Sequence, residues 1–478
     1  MGACPRQDQE YNVKAFLAIV IQTMRSAIRS KIFHVLFALI ILAVFLLPVT
    51  VSGDGTAVGL VQISLTYSLG VVVTLISTTT LWLACSQLSR EIEAYNIHLV
   101  VSKPCPRWKI WLGKWFGIFI MHAVILTVSA AVIFALISWR VNRGNFSEVE
   151  LARLDKEIRV GRRGFYPQAP EYDRQVDADY ERRKSEFGDN HDVASTKAEI
   201  KRQLIAKAGE VPPGAAKVWV FRNVVTKSPE NPLFLRYRVY SGSTSSTNQK
   251  QMPCIWGVRD PAAPPSVADP FLNISLNVMG GTFQEMPLRS QSIDDVDNSI
   301  TIRYINPPQE YWQGVEATSA VFQASDGPAI LVAVSSFGNN YTRAMILALL
   351  QIAFLAALGC TVSAAFSTPV AAFVAVAYLV IGLSIQAAIT APLTNDDGSY
   401  QYKNVTEMAM HKFAQGLSHI IVSVDDLDAT SDLIRGRLIE NHRLFRTVGY
   451  LFFLRTGLIA AIGVWIFTKR ELGAVIRK

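Results

Sequence analysis

Residues 88–117 read LSREIEAYNIHLVVSKPCPRWKIWLGKWFG and lie between two apolar runs, each long enough to cross a bilayer. Arg90, Lys103, Arg107, Lys109 and Lys114 crowd this stretch, together with Glu91 and Glu93. A short, amphipathic, cation-rich connection between two apolar spans reads as a cytoplasmic loop lying at the membrane surface. This reading decides the fold class, because it turns the apolar runs on either side into transmembrane helices.

A span needs about twenty apolar residues at roughly 1.5 Å rise each. Working outward from the loop, 58–84 precedes it and 115–139 follows it. Further runs cover 32–51, 344–366, 370–391 and 448–467, which makes six. Ser367, Thr368 and Pro369 form a tight turn between the fourth and fifth. An even number of spans puts both termini on one side. The cations before the first span (Lys14, Arg25, Arg29, Lys31) and after the last (Lys469, Arg470, Arg477, Lys478) then join the loop on the cytoplasmic side. One stretch conflicts: Arg435, Arg437, Arg443 and Arg446 fall on the external side, among the acids Asp425, Asp426, Asp428, Asp432 and Glu440.

The bulk numbers agree with a membrane protein carrying a large polar insertion. The 478 residues are 50% hydrophobic and 18% charged, with a mean hydropathy of +0.25. The net charge of +8 sits beside the apolar runs. Residues 140–343 hold 25 Lys and Arg against 24 Asp and Glu, so no soluble face is set up for nucleic acid. Of the five cysteines only Cys254 lies in that insertion, which must therefore fold on its own core. About thirty residues precede the first apolar run and no small-x-small site follows it, unlike a cleavable signal.

The domain organisation follows. Residues 1–31 are a cytoplasmic N-terminus whose Val13, Phe16, Leu17, Val20, Ile21 and Met24 recur at helical spacing. They mark an interfacial amphipathic helix, the alternative being a simple extension of the first span. Residues 32–139 hold spans one to three, with the loop at 85–114. Residues 140–343 form an extracytoplasmic α+β domain, helical over 146–210 and β-sandwich-like over 215–337. Spans four and five occupy 344–391, an external segment 392–447, and the last span and cytoplasmic tail 448–478. In the helical part Thr196 and Glu199 fit a capping box, and Gly209, Pro212 and Pro213 close the helix. Gly161–Pro170 reads as a loop. In the β part Leu233, Leu235, Tyr237 and Val239 alternate with Phe234, Arg236, Arg238 and Tyr240. Phe271–Val278, Ser299–Ile305 and Ala329–Ser335 repeat the pattern. Trp219, Trp256 and Trp312 are either a carbohydrate- or lipid-binding surface or, as large aromatics usually are, core. Asn145, Asn273, Asn340 and Asn404 begin N-x-[ST] triplets, which carry no meaning in a bacterial protein.

Catalytic signatures are missing from the chain. It has no G-x-x-x-x-G-K-[ST], no H-E-x-x-H and no G-x-S-x-G. Of seven histidines only His191 lies in the large insertion, so neither a Ser–His nor a multi-His metal site is expected there. The chain reads as non-enzymatic, with no cofactor or metal of its own. Four polar residues inside the spans, Gln62, Gln351, Gln386 and Arg455, stand out, because a cation in hydrocarbon costs roughly 2.5–3.5 kcal/mol. Either they line an outer gate, or Arg455 snorkels to the headgroups and the glutamines bond helix to helix.

The loop resembles that of the permease subunits of type-2 ABC exporters, nearest the copper-enzyme maturation subgroup. An acidic stretch (Glu91, Glu93), Ser-x-Pro (Ser102, Lys103, Pro104), Arg107 and Gly113-Lys114 follow in the family's order, with Tyr95-Asn96 where Arg-Thr is frequent. Lys469-Arg470-Glu471-Leu472 looks like its closing tag. The resemblance covers 12–140 and 344–475 and leaves 140–343 as an insertion. It implies a multi-pass protein of the bacterial plasma (inner) membrane, paired with a second permease chain as a homo- or heterodimer. A separate ABC ATPase subunit would bind ATP and Mg and push on a loop comprising Glu91, Glu93, Tyr95, Asn96, Ser102, Pro104, Arg107 and Lys114, with rigid helix over 89–100. The bland reading is a surface helix with no partner. A different class of function stays open: a non-transporting membrane-anchored protein whose external β-sandwich binds a cell-envelope polymer or protein.

Overall fold

The computed structural model describes residues 5–51, 53, 55–101, 105–168, 171–187, 193–226, 233–242, 251–264, 267–312, 316–323, 327–390, 405–418, 421 and 430–470. It divides into a helical unit (Met1–Arg159, Ser336–Ala391, Ala409–Lys478) and a unit centred on Val160–Ser335.

The chain opens with α1 (Pro5–Ile28), α2 (Lys31–Thr50), α3 (Ala57–Glu93), α4 (Ile97–Val101), α5 (Arg107–Arg143) and α6 (Glu148–Glu157). The second unit contributes β1 (Val160–Phe165), α7 (Asp173–Phe187), α8 (Val193–Gly209), β2 (Glu210–Val211), β3 (Ala216–Phe221), β4 (Leu233–Arg238) and β5 (Tyr240–Ser241). Next come β6 (Gln251–Arg259), β7 (Phe271–Met279), β8 (Phe283–Leu288), β9 (Ile300–Ile305), β10 (Ala320–Val321) and β11 (Ala329–Ser336). The helical unit resumes with α9 (Phe337–Ala365), α10 (Thr368–Thr390), α11 (Val405–Ser418) and α12 (Ser431–Ile434). It closes with α13 (Asn441–Lys469), in which Val448–Thr456 is wound as π-helix.

Among the described residues six helices, α2, α3, α5, α9, α10 and α13, are long and apolar enough to cross a membrane. Several run beyond the apolar stretches. α3 continues to Glu93, and α5 begins at Arg107. Local chemistry sets the ends: the Thr56 hydroxyl accepts from Gly59 N (3.0 Å) at the start of α3. Ser30, with extended backbone, separates α1 from α2, so α1 is a helix of its own. The central crossing is α3 on α9, where Ala84, Ala356, Ala357, Cys360 and Ala364 are buried together. Small side chains let two long helices approach closely without any need for interlocking bulk.

At one end of this unit, residues 430–440 fold back over the start of α3. Leu433 and Ile439 join Val61 and Leu65 in one core cluster. Asn340 donates to Arg437 O (2.7 Å) and accepts from Ile439 N (2.8 Å), and Arg343 donates to Ile439 O (2.9 Å). Arg443 pairs with Asp432. The conflicting arginine stretch therefore lies at the opposite end of the bundle from the 94–101 turn. Asn340 is wholly buried, so its triplet is inaccessible to modification.

The second unit is antiparallel in its registered strand pairs, in three sheets: β1-β11-β4-β8, β3-β9-β6-β7 and the small β2-β10-β5. Leu233, Leu235, Tyr237 and Val239 are all buried, as their alternation predicts, but Phe234 of the opposite face is buried too. Ala329–Ala333 of β11 are buried without alternation, and β7 is mostly exposed, so the pattern expected there fails. The four inward residues of 233–239 form the centre of the unit. They share one core with Met252, Cys254, Trp256 and Val258 of β6 and Ile300, Ile302 and Tyr304 of β9. Trp256 lies 4.5 Å from the Tyr237 ring and 5.0 Å from Tyr304. Trp256 and Trp312 are buried and Trp219 packs against the same cluster, so all three serve the core.

Two local expectations fail. Val160–Phe165, expected as loop, is β1, because its backbone completes the sheet beside β11. Thr196 and Glu199 are not a capping box: α8 has already begun at Val193, and Glu199 bonds Arg202 and Gln203 within the helix. The capping box is Ser147 with Glu150, at the start of α6. Gly209 does end α8.

Candidate functional site

The loop predicted as the working part of the chain lies at the other end of the helical unit, where five helix ends meet. α3 stops at Glu93 because Tyr95 adopts the left-handed region (φ 58), which side chains other than Gly rarely occupy. The chain then restarts as α4. The expected continuous helix over 89–100 is thus two pieces with a turn at 94–96. Ser102 and Pro104 lie outside the described residues.

Several charged residues of the loop are tied to neighbouring helices, although Arg90 and Glu93 remain exposed. Lys114, two turns into α5 and 1% exposed, places its ammonium 2.6 Å from both carboxylate oxygens of Glu91 at the end of α3. Gln87, one turn earlier on α3, adds a 3.1 Å bond to the same carboxylate. Removing one member of such a buried pair strands the other charge, which gives the contact its leverage. Arg107 donates to Thr468 O (3.0 Å) and Arg470 O (2.9 Å), a cation on the carbonyl end of α13. Arg470 reaches on to Ala364 O near the end of α9 (2.5 Å). Glu93 accepts from Thr368 N (3.4 Å), an acid at the first turn of α10. Ser89 stands 2.9 Å from Phe366 O in the α9–α10 turn. Tyr95 and Leu99 face outward, Leu99 being 71% exposed.

α1 belongs to the same end. Gly113 and Gly117 of α5 form a G-x-x-x-G pair; a Cβ at Gly113 would meet Ile19 Cγ2 at 2.8 Å, and one at Gly117 would meet Val20 O at 2.9 Å. The two glycines let α1 lie directly on α5. The face buried there is Ile19, Val20, Thr23 and Ala27, turned from the predicted stripe, and Val13, Leu17 and Ile21 stay exposed. An open cleft of about 740 Å³ remains between α1, the 94–96 turn and α4. It is lined by Gln22, Arg25, Arg29, Glu91, Asn96 and Leu99, among others.

The four polar residues within the spans have separate settings. The last helix begins at Asn441, earlier than hydropathy indicates, so Arg455 lies fourteen residues in (455 − 441) along a 29-residue helix. It is buried. Its Nη2 donates to Ser418 O at the end of α11 (2.9 Å), and its guanidinium sits 4.3 Å from the Tyr450 ring centre, all within the π-helical turns. Gln351 donates to Ser77 Oγ (3.3 Å), tying α9 to α3. Gln62 and Gln386 are half-buried on α3 and α10.

Sequence reasoning singled out Glu91, Glu93, Arg107 and Lys114, and the structure brings all four to this one end. It missed Gln87, Ser89 and Arg470 as partners, and it missed the G-x-x-x-G spacing, which was readable. Among the described residues, no group of three or more His, Cys, Asp or Glu is set to hold a metal ion. Comparison with known protein families, with curated proteins and with solved structures finds no match for this chain.

Proposed function

We propose that this chain is a membrane-embedded permease subunit of the type-2 ABC exporter kind, driven by ATP hydrolysed on a separate polypeptide. The six apolar helices support the membrane placement. One observation carries the mechanism: the ends of α3, α5, α9, α10 and α13 are cross-tied by Glu91–Lys114, Glu93–Thr368, Arg107–Arg470 and Arg470–Ala364. A push on the exposed Tyr95–Leu99 turn would therefore reach five helices through charge-assisted contacts, short at Glu91–Lys114, Arg107–Arg470 and Arg470–Ala364 and longer, 3.4 Å, at Glu93–Thr368. In this reading Tyr95, Asn96 and Leu99 meet the ATPase, and Glu91, Glu93, Arg107 and Lys114 transmit its movement. ATP and Mg belong to the partner, and a second permease chain completes the path.

The test is capture of the detergent-solubilised chain from its native host, with ATPase activity assayed on the eluate. Wild type is compared with a Tyr95→Asn/Leu99→Glu double variant, which leaves the buried ties intact. An ATPase that copurifies with wild type and is lost from an equally thermostable variant supports the reading. Capture of no ATPase by either protein sinks it.

A further inference from the structure

We propose that the cleft between α1 and the α3–α4 turn holds the headgroup of an anionic phospholipid. The inference rests on the reading of the helical unit as membrane-embedded, but not on the identity of any motor.

The cleft is cationic in a particular way. Arg25 and Arg29 line it. An adjoining cavity of about 200 Å³ shares Ser26, Glu91 and Asn96 with it and adds Arg90 and Ser30. Glu91 is the one acid named among these lining residues, and its carboxylate is already held by Lys114 at 2.6 Å. Arg25 and Arg29 thus line the cleft and Arg90 the adjoining cavity, and among the described lining residues the one carboxylate is neutralised. Guanidinium presents several N–H donors in a planar fork suited to phosphate oxygens. Ser26, Ser30 and Asn96 supply neutral donors for the rest of a headgroup.

The second observation is the surface leading into the cleft. Val13, Leu17 and Ile21 are 67%, 55% and 40% exposed. They precede Arg25 and Arg29 in a single i, i+4 row along α1, and Ile21 itself lines the cleft. Residues four apart are neighbours on a helix surface. The row runs apolar for eight residues, about 12 Å, and then becomes cationic. That is the polarity of an amphiphile with an anionic head, and it fits neither a free anion, which needs no apolar run, nor a zwitterionic lipid, which gains little from uncompensated arginines. Juxtamembrane cations attract anionic lipid by about 1 kcal/mol each.

Native mass spectrometry on the delipidated, detergent-held chain tests this, with phosphatidylglycerol and phosphatidylcholine titrated separately. Phosphatidylglycerol should be retained about tenfold more strongly, and Arg25→Gln/Arg29→Gln should abolish that preference. Equal retention of the two lipids overturns the proposal, as does an unchanged preference in the double variant. Displacement of the lipid by millimolar inorganic phosphate also overturns it, in favour of a free-anion site. ATPase copurification scored on the same preparations separates failure here from failure of the permease reading.

Discussion

The two units differ in where they leave their tryptophans: Trp219, Trp256 and Trp312 of the sheet unit lie in or against its core, whereas the helical unit buries Trp111 but exposes Trp108, Trp139 and Trp465. In the sheets Trp256, Tyr237 and Tyr304 are buried against one another, with ring centres 4.5–5.0 Å apart for Trp256 and its two neighbours. In the helices Trp111, Phe354 and Phe467 are fully buried, but Phe45, Phe373, Phe453 and Trp465 point outward, Phe373 at 73% and Trp465 at 63% exposure, and small residues line much of the α3–α9 crossing. A core built for water hides its bulk, because burying apolar area is what drives it together. A bundle built for lipid need not hide all of it, and is held by close backbone approach and polar ties as well as by packing. The outward aromatics of the helical unit agree with its apolar, span-length helices.

Three changes break or sharpen that contrast. The largest effect is expected at the polar tie. Lys114→Met leaves Glu91 buried without its cation and should cost about 3–5 kcal/mol, read as a large drop in the thermal midpoint of the purified chain. Adding Glu91→Gln should recover most of it. A single variant as stable as wild type would mean the pair is dispensable. The next comparison sets the two cores side by side. Trp256→Ala should destabilise the sheet unit by about 3–5 kcal/mol, whereas Trp465→Ala should change stability in lipid by no more than about 0.5 kcal/mol. Equal losses would remove the argument that the outer helical surface faces lipid. The smallest effect lies on the water-facing side of the sheets. The Arg303 guanidinium, 2.7 Å from Asp269, holds that carboxyl below its ordinary range. A depressed folded pKa stabilises above the unfolded value, about 3.9, and the gain is lost as pH falls through the folded one. Arg303→Gln should therefore narrow the stability difference between pH 5 and pH 2. Acid titration of the two proteins that superimposes would discount the contact.

Much of this was legible beforehand because periodicity is local. The six spans come from apolar runs, and the inward set Leu233, Leu235, Tyr237 and Val239 from simple alternation. Helix ends were misjudged where polar turns continue a helix past its apolar part, at Glu93, Arg107 and Asn441. β1 was missed since Gly161, Arg162 and Arg163 carry no alternation; that strand exists through its neighbour in the sheet. The two Ser/Thr-x-x-Glu patterns look alike in sequence. Only Ser147 stands at a helix start, whereas Thr196 lies within a helix already under way.

At the candidate site, charges beside apolar runs marked the loop, and its resemblance to a known permease motif singled out Glu91, Glu93, Arg107 and Lys114. Their roles as ties were decided by tertiary structure. Glu91 and Lys114 are 23 residues apart, and Arg107 and Arg470 are 363 apart; no local pattern records which helix ends converge. Sequence by itself determined which segments are apolar enough to span a membrane and the inward set of β4 and β9, but not the burial of β7 or β11. Packing determined which charges turn inward and which residues are left to face a partner, since burial of a charge depends on what the rest of the chain brings next to it.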